Sequence, residues 1–344
     1  MGKTARIVGI GMAALVLFAT LAGAKEIVDM YGRKLSMPER PRKVVSIGPT
    51  GTYLLYAIDP TMLAGLNFPV RKEQKRYLHG RMSRLPVIGW FGQGQAPNRE
   101  TLMMIRPDVI FTSKLDQSLS AKVNEQMKVM KMPVVELTVD TLPEYPDAFL
   151  RAGRILGREA RARKLSDYGR KTLEEAGAVV GRLLREKRVT VYYAEGPDGL
   201  STECDTSRHV ELIRLAGGVN VHRCVSRNPY GLEKVSFEQV LMYDPEVILA
   251  FDAGFYRRVF KDPLWRKIRA VKTGRVYLIP SEPINWFDRP PSFMRFIGLK
   301  WVLNRLYPDR YRIDMVKEAR NFYRLFLGVE VSDGEMRRVV SGSP

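Results

Sequence analysis

The sequence predicts an α/β protein of two Rossmann-like lobes with mainly parallel sheets, joined by a long rigid α-helix. Three features indicate this fold class: a repeated pattern, short apolar runs typical of buried parallel strands, and one long stretch with helical periodicity. The repeat is Glu100-Thr-Leu-Met-Met-Ile-Arg-Pro107 and Glu238-Gln-Val-Leu-Met-Tyr-Asp-Pro245. In each copy a short amphipathic helix ends at a proline, and an acidic residue and a core strand follow. Two similar halves predict two lobes with a cleft between them.

The first lobe is predicted to span residues 25–142. A loop rich in glycine and proline is expected at 82–98. The expected strands and helices alternate, as in a parallel sheet. The strands are placed at 44–47, 62–66, 109–111 and 134–138, and the helices at 52–57, from 100 to the proline, and near 120–130.

The connecting segment 143–187 has no proline after Pro146, and its apolar residues keep helical spacing. This predicts one very long helix, or two in succession, with Gly157 and Gly177 tolerated inside. Such a connector is stiff, which suits lobes that move little. The second lobe is predicted to span 188–344 and to end with helices near 292–306 and 314–327.

The first 24 residues are predicted to be a cleavable signal peptide. Lys3 and Arg6 precede an uncharged stretch, and Ala22-Gly-Ala24 offers the small residues of a cleavage site. A retained anchor is the alternative, but the apolar stretch is short for a bilayer span of about 20 residues. No cysteine directly follows the leader, so no lipid anchor is expected. The predicted location is the periplasm.

The chain carries a formal charge of +19, which becomes +17 when Lys3 and Arg6 are removed with the leader. An excess of this size can attract an anionic partner. However, the basic residues of 151–188 alternate with apolar positions, as on a solvated helix face. Since the chain is expected to be exported, nucleic acid is not an expected partner.

Cys204 and Cys224 are the two cysteines of the chain, and they are separated by 20 positions. In an oxidising compartment they can form one disulfide, which would constrain the unfolded chain by roughly 3 kcal/mol. Metal ligation is the alternative, because His209 and His222 lie near in sequence. Neither cysteine belongs to a Cys-x-x-Cys pair, which disfavours that alternative.

Several second-half motifs resemble a known family. These are Ser207-Arg-His-Val-Glu-Leu-Ile-Arg-Leu-Ala-Gly-Gly-Val-Asn220, Val235-Ser-Phe-Glu-Gln-Val-Leu241 and Val271-Lys-Thr-Gly-Arg-Val-Tyr277. Together with the leader and the paired glutamates, they are similar to periplasmic binding proteins of ABC importers for iron siderophores, haem and vitamin B12. This is class III of the binding proteins, in the helical backbone metal receptor superfamily.

The resemblance implies that Glu100 and Glu238 protrude from the two lobes and pair with arginines of the importer's permease. Carboxylates at helix starts are favoured by the helix dipole and can accept bidentate arginine bonds. The alternative is that each is only a first-turn helix acid.

The cleft is expected near the loops that follow strands. In the first lobe, Thr50 and Thr52 open a helix after the first strand, where hydroxyls and amides could hold an oxyanion or merely cap the helix. Trp90 and Gln93 lie in the glycine-rich loop. In the second lobe, Tyr193 follows a strand.

Two further segments of the second lobe complete the predicted site. Arg208 and His209 open a helix, and the loop at 285–292 contains Trp286 and Arg289 between prolines and polar residues. This loop is predicted to form a rigid platform with a cation and a π surface. The alternative is a packed loop in which Arg289 pairs with Asp288 or another acid.

The predicted ligand is a metal chelate, with a ferric siderophore or similar iron complex preferred. Haem, a corrinoid or a nickel or cobalt chelate remain alternatives, with His209 as the best-placed axial ligand, and oxometallate anions form a minor one. Three histidines leave little to build a bare metal site.

No sequence fingerprint of a common hydrolase, metalloprotease or nucleotide-binding site occurs in the mature chain, so the chain is not expected to be an enzyme. A chelatase-like enzyme is the distant alternative. The expected protein is a monomer without a resident cofactor, and its partners are the permease and the chelate.

Overall fold

The computed structural model of this chain describes residues 24–28, 34–91, 96–112, 132–137, 139–184, 187–226 and 231–342. In these ranges no helix combines the length and the apolar character that crossing a membrane requires. Gln93 and the predicted helix near 120–130 lie outside the described residues.

The first lobe is built on a parallel sheet with the order β3-β4-β5, formed by Val44–Ser46, Val109–Thr112 and Val134–Glu136. Val44 lies beside Val109, and Ile110 lies beside Val134. A separate antiparallel pair, β1 (Ala24–Val28) and β2 (Lys34–Pro38), precedes the sheet. Among the described residues of this lobe, the α-helices are α1 (Pro49–Ile58) and α2 (Arg99–Ile105).

The second lobe has a parallel sheet with the order β11-β10-β6-β8. Its strands are β6 (Thr190–Ala194), β8 (Val219–Asn220), β10 (Val247–Ala250) and β11 (Val276–Leu278). A small antiparallel pair, β7 (Ser201–Thr202) and β9 (Glu233–Lys234), lies beside it. The two parallel sheets confirm the predicted fold class.

The repeated segments adopt the same local structure. Each helix is capped by a side chain, since Asn98 accepts from the amide of Thr101 and Ser236 from that of Gln239. Each helix, α2 and α6 (Phe237–Tyr243), ends at a residue with positive φ directly before the proline. These end residues are Arg106 (φ 47°) and Asp244 (φ 36°).

The acid after each proline fastens the next strand to the first strand of its own lobe. The carboxylate of Asp108 accepts from the amide of Lys43 at 2.9 Å. In the second lobe, the carboxylate of Glu246 accepts from the amide of Thr190, also at 2.9 Å. The duplication therefore includes matched hydrogen bonds as well as matched helices and strands.

The connector is two helices in succession, α3 (Tyr145–Leu156) and α4 (Glu159–Val180). Gly157 lies between them with a φ of 65°, a left-handed conformation that glycine adopts at little cost. Gly157 therefore separates the two helices, and the prediction that it lies inside a helix is wrong. The helices fold back on each other, because positions 153 and 146 of α3 face Ala162 and Gly169 of α4. Gly177, by contrast, lies inside α4. The longer helix has 22 residues, which corresponds to about 33 Å.

The remaining helices pack around this hairpin and the second sheet. They are α5 (Glu211–Leu215), α7 (Ala253–Val259), α8 (Arg269–Lys272), α9 (Arg295–Leu306), α10 (Met315–Phe322), which continues as a π-helical turn at Tyr323–Leu327, and α11 (Asp333–Val340). One hydrophobic cluster includes Leu54 of the first lobe, Phe149 of the hairpin and Phe296 of the second lobe. A shared core thus joins the lobes to the hairpin.

The predicted strand at 62–66 is not a continuous strand. Leu63 forms a bridge with Val44, whereas Leu66 forms one with Val87. The segment changes its pairing partner between these two residues, so it does not form a continuous row of hydrogen bonds with either partner.

The contact between α3 and α4 leads to a matched pair of substitutions. A Cβ at Gly153 would lie 2.2 Å from the Cβ of Ala162, whereas one at exposed Gly177 would meet nothing within 4 Å. We expect Gly153→Ala to lower the free energy of unfolding by about 1 to 3 kcal/mol, since the helices must separate. Gly177→Ala should raise it by up to about 1 kcal/mol through helix propensity. Urea unfolding followed by circular dichroism measures both, and equal changes would contradict the close helix contact.

Candidate ligand-binding cleft

A cavity of about 380 Å³ lies between α1, the segment after residue 63 and the loop at 285–292. Its volume falls within the range of about 300 to 1,000 Å³ that is usual for small-molecule sites. Most of its wall belongs to the first lobe, and Arg289 and Pro290 come from the second. The cavity therefore lies at the junction of the lobes, as the sequence predicts for the cleft.

The two predicted threonines lie at this junction but already have partners. Thr52 lines the cavity, and its hydroxyl donates to Asn67 at 2.6 Å. Asn67 in turn donates to the carbonyls of Ser46 and Gly89, which fixes the loop after the first strand. Thr50 donates to the carbonyl of Pro291 at 3.2 Å and so connects the lobes. In this structure both hydroxyls hold protein segments together.

One ring of an aromatic pair lines the cavity. Trp90 is half-buried, and its ring centroid lies 6.1 Å from that of Phe68. Phe68 lines the cavity with 43% of its surface exposed. Trp90 itself is not among the residues that line the cavity.

The segment after Asn67 contributes cavity residues beyond those predicted from the sequence. Arg71 is exposed at the rim, and Gln74 donates to the carbonyl of Pro283 at 2.6 Å, across the lobes. Tyr53 also lines the wall, and burial, partly offset by the charge of Arg71, raises the pKa of this phenol to about 12. Its hydroxyl is therefore protonated at neutral pH. The available sequence signal is the Asn67-Phe68-Pro69 turn after a core segment, because loops of this kind often carry ligand contacts.

Arg289 is surrounded by carboxylates on the second-lobe side. Its guanidinium contacts Glu195 and Glu203, which are 1% and 0% exposed, and lies 3.7 Å from Asp288. Glu203 also accepts from Ser207 at 2.8 Å. This arrangement agrees with the alternative stated for this loop, in which Arg289 pairs with Asp288 or another acid. Its acids outweigh burial and raise the pKa of Arg289, so the guanidinium stays charged and is neutralised internally.

His209 belongs to the same cluster. Its Nδ1 lies 2.6 Å from a carboxylate oxygen of Asp288. Burial lowers the pKa of His209, but the hydrogen bond and charge of Asp288 outweigh it and raise the pKa overall. This ring nitrogen is already engaged by Asp288, and the side chain is not among those that line the cavity.

Trp286 and Tyr193 are core residues in this structure, which corrects the prediction that they face a ligand. Both are 0% exposed. Trp286 donates to the carbonyl of Glu282, and its own carbonyl lies where a side chain at Gly298 of α9 would be. Tyr193 packs on Phe287 with ring centroids 4.8 Å apart. The loop takes this course because the Asn285 side chain accepts from the two amides that follow Trp286.

Three other predicted features lie outside the cavity lining. Arg208 is exposed and lies 3.3 Å from Asp140, a pair whose contribution to stability is small. Cys204 and Cys224 form a disulfide. Glu100 and Glu238 are both exposed in the first turns of α2 and α6.

The acidic cluster gives a pH prediction. Burial and the neighbouring charges of Glu203 and Asp288 raise the pKa of Glu195 from 4.5 to about 7, despite Arg289. Between pH 4.5 and about 7 the folded protein therefore keeps a proton on Glu195 that the unfolded chain releases. This tighter proton binding stabilises the folded state fully below pH 4.5, and the stabilisation is lost as the pH rises through 7. The glutamine of the Glu195→Gln variant cannot ionise. Between pH 5 and 8 the free energy of unfolding of this variant should therefore fall less than that of the wild type, and the difference should reach up to about 3 kcal/mol.

Urea unfolding across this pH range measures the effect. The exposed Glu174→Gln on α4 serves as the control and should follow the wild-type profile. An unchanged decline in Glu195→Gln would assign the pH dependence to other groups.

The architecture is shared with known proteins. A family profile described as periplasmic binding protein matches residues 44–283. An ABC transporter solute binding protein from Sulfurospirillum deleyianum DSM 6946 has a TM-score of 0.86 and 36% sequence identity, over 91% of this chain and 98% of that chain. The molybdate-binding protein MolA of Haemophilus influenzae is 24% identical over 336 residues, 90% of this chain and 92% of the relative. The Fe(3+)-citrate-binding protein YfmC of Bacillus subtilis is 27% identical over 197 residues, 54% of this chain and 58% of the relative.

The profile match covers more than half of the chain, and the structural match extends over nearly all of it. The two parallel sheets, the helical connector and the junction cavity agree with this similarity. The chain belongs to the periplasmic binding protein family, as a class III binding protein of ABC importers.

Proposed function

We propose that the protein captures a metal chelate, specifically a ferric siderophore or a similar iron complex, in the junction cavity and delivers it to an ABC importer. The observation that carries this proposal is the cavity of about 380 Å³ with a mainly apolar and aromatic lining. Its volume is more than ten times the roughly 30 Å³ that one water molecule occupies in the liquid. A chelate with an organic shell suits such a wall, because its flat faces can pack on rings.

The charges near the cavity favour a chelate over a bare oxyanion. An oxyanion at Arg289 would have to compete with Glu195 and Glu203, which already neutralise that guanidinium. Arg71 at the rim can instead contact an anionic group on the outside of a chelate. Because one relative is a molybdate-binding protein, an oxyanion is the main alternative ligand class, and the binding test includes molybdate.

Haem or a corrinoid would need an axial imidazole or phenolate. Among the described residues that line the cavity, none is a histidine. Tyr53 has a strongly raised pKa, so forming a phenolate there is costly. Haem and a corrinoid therefore serve as comparators, whereas nickel and cobalt chelates stay the alternative within the chelate class.

In this role the chain is a monomeric carrier in the periplasm, released from the leader at residues 1–24. It binds and hands over its ligand without catalysing a reaction and without a resident cofactor. The periplasmic binding proteins among its relatives support this assignment.

The permease-facing surface is proposed to be centred on Glu100 and Glu238. A hydrogen bond from its own backbone and one from Ser236 lower the pKa of Glu238, which keeps this exposed carboxylate charged. A solvent-exposed methionine follows each glutamate by four positions. Met104 is 78% exposed and Met242 is 74% exposed. Exposed apolar side chains at matched positions of both lobes support a contact surface for a partner with two similar halves.

The ligand proposal is tested by titration with ferric citrate, a ferric catecholate and a ferric hydroxamate, followed by tryptophan fluorescence. Haemin, cyanocobalamin and molybdate are the comparators. We expect at least one ferric chelate to quench Trp90, and Arg71→Ala to weaken that binding about tenfold or more through loss of a charged hydrogen bond. Arg163→Ala, which removes an exposed arginine from α4, should leave binding unchanged. Binding of molybdate alone would overturn the chelate proposal, and equal binding by Arg71→Ala would exclude the proposed contact with Arg71.

The permease proposal is tested by uptake of the labelled chelate in cells that carry each variant. Glu100→Ala combined with Glu238→Ala should reduce uptake to background while the purified protein still binds ligand normally. Glu159→Ala is the matched control, since Glu159 is also an exposed acid in the first turn of a helix. Normal uptake by the double variant would refute the docking role, and lost ligand binding would show that the glutamates act elsewhere.

A further inference from the structure

Cys204, His222 and Cys224 form a group of soft and borderline metal ligands at one edge of the second lobe. One potential ligand atom from each residue lies within 4.8 Å of the other two. None of the three lines the junction cavity. In the oxidised protein the two sulfurs are joined as a disulfide, so their ligand capacity is masked.

Hydrogen bonds hold the two cysteine segments together independently of the disulfide. The amide of Asp205 donates to the carbonyl of His222 at 2.9 Å, and the Asp205 carboxylate accepts from the amide of Cys224 at 3.1 Å. Thr206 donates to the carbonyl of Cys224 at 3.0 Å and accepts from the amide of Ser226 at 3.2 Å. Opening the disulfide therefore leaves the cysteines and the histidine close together.

The imidazole is prepared for coordination. Its Nδ1 lies 2.8 Å from the hydroxyl of Tyr243, which fixes the orientation of the ring. Cys224 and His222 are half-buried, whereas Cys204 is 1% exposed, so a reductant or an ion can approach from the Cys224 side.

We propose that the reduced protein binds a thiophilic divalent cation such as Zn²⁺ through Cys204, Cys224 and His222. The disulfide and the metal-bound site are then mutually exclusive states of the same residues. Two thiolates and one imidazole form a set that suits zinc, with water in the fourth position.

The chemistry balances with a dithiol as the reductant. One thiolate of the dithiol attacks a sulfur of the Cys204–Cys224 bond, which releases one cysteine and forms a mixed disulfide. The second thiolate of the dithiol then attacks its own sulfur in that mixed disulfide and releases the other cysteine. Two electrons and two protons pass to the protein, which gains two thiols, while the dithiol becomes a disulfide. Binding of the cation then releases the two thiol protons and forms two metal–sulfur bonds and one metal–nitrogen bond.

The test uses the full mature chain, reduced with a phosphine under anaerobic conditions, and Co²⁺ as a spectroscopic probe. Reduced protein should bind one Co²⁺ with an intense thiolate-to-metal charge-transfer band that Zn²⁺ abolishes. Oxidised wild-type protein is the control of identical sequence and should lack the band. Cys204→Ser and Cys224→Ser should also lack it, and His222→Ala should bind about tenfold more weakly or worse.

Three results would overturn the proposal. The first is reduced protein with native circular dichroism but no charge-transfer band. The second is an equal Co²⁺ signal from oxidised protein. The third is loss of the native spectrum on reduction, because the site requires the cysteine segments to stay together without the disulfide.

Discussion

The pairing of Arg289 with two buried carboxylates is the constraint on which the cleft depends. Glu195 follows β6, Glu203 follows β7, and Arg289 lies in the loop that also contacts the first lobe through Thr50. An arginine with a φ of 50° is uncommon, and these ionic contacts hold it there. Removing Arg289 would leave buried carboxylates without a compensating charge, which costs far more than losing a surface ion pair. The cluster therefore fixes the second-lobe side of the cavity.

The lobes are joined by more than a linker. Buried residues of α1, the α3–α4 hairpin and α9 belong to one hydrophobic cluster. Lobes that share a core of this kind cannot separate without exposing apolar surface, at a cost of roughly 25 cal/mol per Å². Hydrogen bonds from Thr50 and Gln74 add direct connections between the lobes. These contacts favour a largely preformed cavity with small lobe motions over wide hinge opening.

The sequence predicted the fold well because its signals are local. Helical spacing, the two proline-terminated helices and the apolar strands all depend on neighbours within a few positions. The repeat contains an acid after each proline, and the structure adds the matched hydrogen bonds that Asp108 and Glu246 accept. The site was harder to predict, because side-chain direction depends on distant contacts. The loop at 285–292 does reach the cleft, but the turn at Asn285 directs Trp286 into the core. The Asn67-Phe68-Pro69 segment marks a loop near the cleft, but only the packing of the chain decides that Arg71 lies at the cavity.

The two walls of the cavity differ in chemistry, and this difference limits the choice of ligand. The first lobe offers Tyr53, Phe68 and apolar neighbours, which can adapt by rotating side chains. The second offers Arg289 in an ionic cluster whose acids outnumber its guanidinium, and those contacts resist movement. A ligand that relied on a strong positive field from the second lobe would find it already neutralised. A ligand with an organic shell can pack on the first wall and needs the second only for shape, and this difference between the walls is the physical basis of the chelate proposal.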